Sequence, residues 1–167
     1  MAGATFEVEL NNAEVQDVVN QLEKKLGDLT PALQDIGEYL MIAHEQRFVD
    51  QVAPDGTPWA PLSPSYQRNK ARNKNRILFL DGRLAKSFRY QIGDNELNFG
   101  TNVPYAAHHH FGTKPYTIKP KTKKALSFGG IVVKKVNHPG LKARPFFGTN
   151  DADNEEILQL LTEHMQL

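Results

Sequence analysis

Apolar and polar positions change period several times along the chain. Residues 5–10 alternate Phe6, Val8 and Leu10 with Glu7 and Glu9, a period of two that predicts a half-buried strand. Asn11 or Asn12 is placed to cap the helix that follows. Val15, Val18, Val19, Leu22 and Leu26 fall at helical spacing there, and Gly27 closes it. Thr30 before Pro31 reads as a cap residue followed by proline at the first helical position. Leu33, Ile36, Leu40 and Ala43 then mark one face of a second helix running to about Phe48, so 13–48 predicts a helical hairpin.

The pattern then breaks. Pro54, Gly56, Pro58, Pro61 and Pro64 allow no helix to persist through 52–64, and 64–75 is polar and basic with room for a helix; 49–76 is therefore an extended loop. Residues 81–87 predict a short helix. Residues 88–92 and 96–100 flank Gly93, Asp94 and Asn95 as a hairpin. One or two helical turns fit 105–111. Further strands are expected at 116–118, 125–128 and 131–136, with Gly129 and Gly130 turning the last pair. After Pro139 and Gly140, Asn150 or Asp151 caps a final helix over 150–167. Its apolar face is Ile157, Leu158, Leu161 and Met165, and Asp153, Glu155 and Glu156 sit in its first turn, where the helix dipole favours acids. These elements predict one α+β domain over 1–167. A central antiparallel sheet over 77–148, carrying a basic hairpin at 114–138, would be packed by the N-terminal and C-terminal helices.

Composition adds exclusions. Without cysteine there is no disulfide framework, thiolate metal site or cysteine nucleophile. The first ten residues hold acids and no apolar run, so no secretory signal is expected, and no stretch approaches the length needed to cross a bilayer. The net charge of +1 conceals a segregation. Residues 66–144 hold 17 basic and 3 acidic residues, a balance of +14, and the rest of the chain stands at −13. Three readings remain open: acidic helices meeting basic loops within one subunit, contact with nucleic acid, and the acidic face of one copy docking on the basic face of the next.

Candidate chemistry is sparse. His108, His109 and His110 are consecutive, so their side chains diverge on a helix or a strand and do not converge on one ion; packing or interface roles suit them better. Ser63, Ser65, Ser87 and Ser127 have no evident base, and no nucleophile elbow or nucleotide-binding glycine loop occurs. No cofactor is expected and the chain reads as a non-enzyme. The run Arg68, Lys70, Arg72, Lys74 and Arg76 has a charge at every second residue. On a helix these charges wrap round the axis, and no aromatic is interleaved to stack on bases. A solvated loop, a loop ordered by a partner, and non-specific attraction to packaged DNA are the open readings.

Four ordered segments carry a resemblance. FVDQVAPDGTPW at 48–59 followed by PLSP at 61–64 resembles the PDGTPWAPLSP passage of the phage virion morphogenesis family, which includes tail-completion proteins of Mu-like phages. ILFLDGRL at 77–84, with Ser87 and Phe88, is similar to that family's ILxxTGxLxxSI, with Asp81 in place of the usual small hydroxyl residue. FGT at 99–101, with YAAH at 105–108 and Phe111-Gly112, resembles VGTxxxYAxxHxxG. ARPFFG at 143–148 resembles xARPFLG before the closing helix. Separately, IKPK at 118–121, KALSF at 124–128 and VNHPG at 136–140 resemble a stretch of phage head–tail joining proteins.

The resemblance implies a structural virion protein that completes or terminates the tail as a homo-oligomeric, hexameric ring at the head–tail junction. Its partners would be other copies, the tail tube or sheath protein, and head connector or stopper proteins, with no membrane. A head-side connector, stopper or capsid assembly protein is the alternative, and a DNA-binding module a third. Interface candidates are Trp59, Arg68, Lys70, Arg72, Lys74 and Arg76 in the loop, and Lys119, Lys121, Lys123, Lys124, Lys134 and Lys135 in the hairpin; Trp59, the only tryptophan, is also a large anchor that can pin an extended loop to the core. Structural anchors are Asp55, Gly56, Gly82, Tyr105, Arg144, Pro145 and Phe146: turn formers, a rigid link and aromatics.

Overall fold

The structure, a computed structural model, describes residues 13–93, 95–128 and 131–166. The strand expected at 5–10, the cap residues Asn11 and Asn12, and Asp94, Gly129 and Gly130 of the expected turns lie outside the described residues.

Helix α1 spans Ala13–Leu26 and ends at Gly27, whose φ of +68° lets the chain reverse. Helix α2 spans Thr30–Asp50, with Pro31 in its first turn where no amide is needed. Thr30 is not its cap, as the sequence suggested. Leu29 holds that position, and Asp28 Oδ1 accepts the Thr30 N–H at 2.9 Å, so an acceptor two residues earlier frees Thr30 to enter the helix. At the other end α2 outruns the expected stop near Phe48 by two residues. Gln51, in a left-handed conformation at φ 60°, turns the chain away.

Strands β1 (Phe88–Ile92) and β2 (Leu97–Thr101) pair antiparallel with Phe88 opposite Thr101 and Tyr90 opposite Phe99. This hairpin packs on α2, where Gly37 makes close approach possible. A Cβ there would stand 2.6 Å from Tyr90 Cγ. Short helices α3 (Pro64–Asn69) and α4 (Ala106–Phe111) lie in the connections. The helix expected at 81–87 is a single turn, closed by Lys86 N–H to the Gly82 carbonyl at 3.0 Å. It turns to bury Leu84 and Ala85, and β1 begins immediately afterwards.

Strand β3 (Tyr116–Ile118) pairs with β6 (Val136–His138), and β4 (Leu126–Phe128) with β5 (Ile131–Val133). The fold class is α+β, but among the described residues the antiparallel structure is divided among three two-stranded ladders, of which β1–β2 packs on α2. The stretch expected as one strand over 131–136 breaks at Lys134 and Lys135, both exposed. A narrow ribbon with little apolar surface to bury has nothing to hold a long register.

Helix α5 (Asp151–Gln166) closes the described chain. Of its two candidate caps, Asn150 serves: its Oδ1 accepts the Asp153 N–H at 2.8 Å, and Asp153 Oδ2 accepts the Asn150 N–H at 2.8 Å. Two buried clusters result. Phe48, Trp59, Phe88, Phe146 and Phe147 form one under the loops; Val15, Leu33, Ile36, Leu40, Ile157 and Leu161 join α1, α2 and α5 in the other. Phe99 packs against both.

Candidate functional site

The proline-rich loop is shaped by its own turn chemistry. Asp55 Oδ1 accepts the Thr57 N–H at 2.9 Å, Gly56 takes φ +81°, and Val52 pairs with Pro58 in an isolated bridge. That turn delivers Trp59 into the aromatic cluster, edge-on to Phe48 at 5.2 Å between ring centres, with its Nε1 donating to the Pro145 carbonyl at 2.6 Å. Arg144 completes the clasp: Nε donates to the Ala60 carbonyl at 2.7 Å and a terminal nitrogen to the Pro61 carbonyl at 3.0 Å. Burial pushes its guanidinium below the usual range. Phe146 is fully buried beneath this clasp. Trp59, expected both at an interface and as the anchor of the loop, is a buried core residue: its large indole pins the extended loop to the core.

The basic run is likewise held. Lys70, expected at an interface, is buried; its ammonium donates to the carbonyls of Asn73, Arg76 and Phe79, at 2.8 Å and 2.7 Å for the first and last. Among the described residues this ammonium has no acid partner and is matched by three backbone carbonyls that the loop leaves free, and burial with the nearby Arg76 lowers its pKa. Lys74 donates to the Arg68 carbonyl at 2.9 Å, and Arg76 stacks on the Phe79 ring at 3.6 Å. Arg68, Arg72 and Lys74 are the bases of this loop that lie exposed.

Gly82 has φ +86° with the Phe79 ring over it. Tyr105 is a weaker anchor than expected, 38% exposed with its ring edge-on to His109. The histidines diverge as their spacing requires. His108 is exposed, and His110 Nδ1 accepts the Phe146 N–H at 3.3 Å while its ring packs edge-on to Phe146. His109 is partly buried with Nδ1 lacking a protein hydrogen-bond partner. Burial lowers the pKa of both His109 and His110. Among the described residues no group of His, Asp or Glu could hold a metal ion.

Lys119, Lys121, Lys123, Lys124, Lys134 and Lys135 are all exposed, in the connections that join the ladders β3–β6 and β4–β5. These ladders form an arm over 114–138 that carries seven lysines and no acid. Its strand β5 exposes Ile131 and Val132. Opposite in sign, α1, α2 and α5 together hold twelve Asp and Glu against three Lys and Arg, a balance of −9. The two charged regions therefore sit on different elements.

Sequence reading missed the buried polar group between α2 and α5. Arg47 pairs with Asp153, both nearly inaccessible, and also donates to the Gly148 carbonyl. Tyr39 donates to Asp153 at 2.9 Å; burial, and then that carboxylate, push its phenol up to about 12. His44 Nδ1 lies 2.7 Å from the Leu40 carbonyl, which assigns the proton to Nδ1 and leaves Nε2 to accept from Arg47 at 3.3 Å. Burial, aided by Arg47, holds His44 at about 4. The signal was present: Arg47 continues the inward spacing of Leu33 and Leu40, and a base on an apolar stripe requires a partner.

This architecture belongs to a protein class defined by assembly. The chain is a member of the phage virion morphogenesis family, whose sequence model matches residues 10–166. It is 25% identical to "Mu-like prophage FluMu G protein 2" of Haemophilus influenzae (strain ATCC 51907 / DSM 11121 / KW20 / Rd), over 97% of this chain and 97% of that one. No solved structure matches it. The protein therefore has a role in phage virion morphogenesis. Among the described residues no helix is long and apolar enough to cross a membrane.

Proposed function

We propose that this protein completes and terminates the phage tail, its copies closing a hexameric ring that caps the head-proximal end and presents a docking surface to the head connector. The observation that carries this reading is the charge segregation: a lysine arm free of acids on one element set, and a helical bundle of balance −9 on another. Head-to-tail contacts in a closed ring need two different, complementary faces on each subunit. The mechanism is binding: ring closure stops tube growth and creates a new surface. Family membership over nearly the whole chain and the likeness to a Mu-like prophage protein support the virion role.

Negative-stain imaging of the purified protein mixed with isolated tails tests it. Rings at the head-proximal tip of the tail are the expected result. Decoration of the portal vertex of heads, with bare tails, would assign the protein to the head side as a connector, stopper or capsid assembly protein.

A further inference from the structure

An apolar cleft of about 510 Å³ lies between α1, α2, β2 and α5, walled by Val15, Val19, Leu33, Leu97, Phe99 and Leu161. Glu96 and Asn98 line it from the hairpin, and the three helices around it are the acidic ones. The arm has the opposite character. Ile131 and Val132 are 55% and 69% exposed, and as neighbours on a strand they project from opposite faces, so β5 is apolar on both sides. Behind them stand Lys121, Lys123, Lys124, Lys134 and Lys135, all exposed. An apolar end backed by lysines matches an apolar cleft that Glu96 lines and three acidic helices enclose. Phosphates would satisfy the lysines but leave Ile131 and Val132 in water.

We infer that Ile131 and Val132 of one copy seat in the cleft between α1, α2, β2 and α5 of the next copy, with the arm's lysines lying over that copy's acidic helices. This rests on the ring reading and specifies its contact. Arm and cleft are different patches, so every subunit offers one of each, which is the heterologous geometry a ring requires. Apolar seating supplies the attraction, and the charges align the copies and reject the reversed orientation.

The chain has no cysteine, so single cysteines report the contact directly. Val132→Cys protein is mixed with Asn98→Cys protein and mildly oxidised; Asn98 is exposed and lines the cleft. A disulfide-linked heterodimer is expected. In parallel, Val132→Asp should weaken self-association about tenfold or more by light scattering while leaving the melting temperature unchanged, because a carboxylate cannot enter an apolar cleft unpaired. Oligomers that persist in Val132→Asp without any cross-link overturn the proposal and leave the ring reading standing. A wild-type protein that stays monomeric at every concentration and on tails removes the ring reading and this contact with it. Two further results overturn the contact alone: a cross-link within one chain in the Val132→Cys/Asn98→Cys double variant, or loss of the heterodimer when duplex DNA is added at equimolar amounts, which would give the arm to nucleic acid.

Discussion

The indole Nε1 of Trp59 donates to the Pro145 carbonyl at 2.6 Å, joining segments 86 residues apart in the chain. With the two bonds from Arg144 to Ala60 and Pro61, it fastens the proline-rich loop to the segment that leads into α5. The loop is therefore a fixed surface of the subunit and not a free strap. Arg144→Ala should destabilise the fold by about 2 kcal/mol, since it strands two carbonyls in a partly buried site. Arg144→Lys, with one point charge in place of a fork, should recover less than half of that. Urea midpoints at constant slope measure both.

Lys70 is an internal clamp, and its loop neighbours Arg68 and Arg72 are not. Lys70→Met should leave the carbonyls of Asn73, Arg76 and Phe79 without their shared donor and open 66–80 to limited proteolysis. Arg68→Glu and Arg72→Glu, at exposed positions, should leave the cleavage pattern and the melting temperature as in wild type.

Between α2 and α5, Asp153→Ala should cost about 3 kcal/mol because Arg47 stays buried without its counter-charge. The double variant Arg47→Met/Asp153→Ala should regain the part due to the stranded charge, though not the α5 cap and the Tyr39 bond that Asp153 also supplies; with the Arg47→Met single it closes the double-mutant cycle that isolates the pair. Equal losses in single and double variants would show that packing, and not the ion pair, holds these helices together.

His44 makes stability depend on pH. In the fold it takes up its proton only at about 4, against about 6.5 when unfolded, so between these values the unfolded chain binds the extra proton. Stability is full above 6.5 and declines as pH falls toward 4, by an amount on the order of 3 kcal/mol for this group. Arg47 and Asp153 face it from α2 and α5, and Asp153 offsets part of the effect. His109 and His110, also lowered by burial, act in the same direction. His44→Gln should flatten the melting-temperature profile between pH 4 and pH 6.5.

Gly37 sets the distance between α2 and the β1–β2 hairpin. Gly37→Ala gains about 1 kcal/mol of helix propensity but drives a methyl into the Tyr90 ring, so a net loss of about 1–2 kcal/mol is expected. Adding Tyr90→Ala should turn Gly37→Ala into a stabilising change. If Gly37→Ala stabilises the wild-type background, the helix and hairpin tolerate separation and the close packing is not required.

The helices were legible because their spacing is local. Leu33, Ile36 and Leu40 fall on one face, and Gly27 and Asn150 stand where the chain must turn or cap. The turn at 55–56 and the β1–β2 hairpin were legible for the same reason. Tertiary roles were legible only in part. Trp59 was legible as an anchor of the loop, but not its bond to Pro145; Lys70 looks like a surface residue of a polar, proline-rich stretch, and only the curl of 70–79 buries it. Asp153 looked like a dipole residue until Arg47 was brought beside it from 106 residues away. The sheet was overestimated because short β-branched runs predict strands without saying which partner they choose.

Tail length tests the central claim most directly. If ring closure ends tube growth, infection by a phage deleted for this gene should yield tails of broad length distribution, many longer than normal and none joined to heads. Purified protein added to the lysate should narrow that distribution for newly assembled tails. Tails of normal, uniform length attached to filled heads in the deletion lysate would contradict the account.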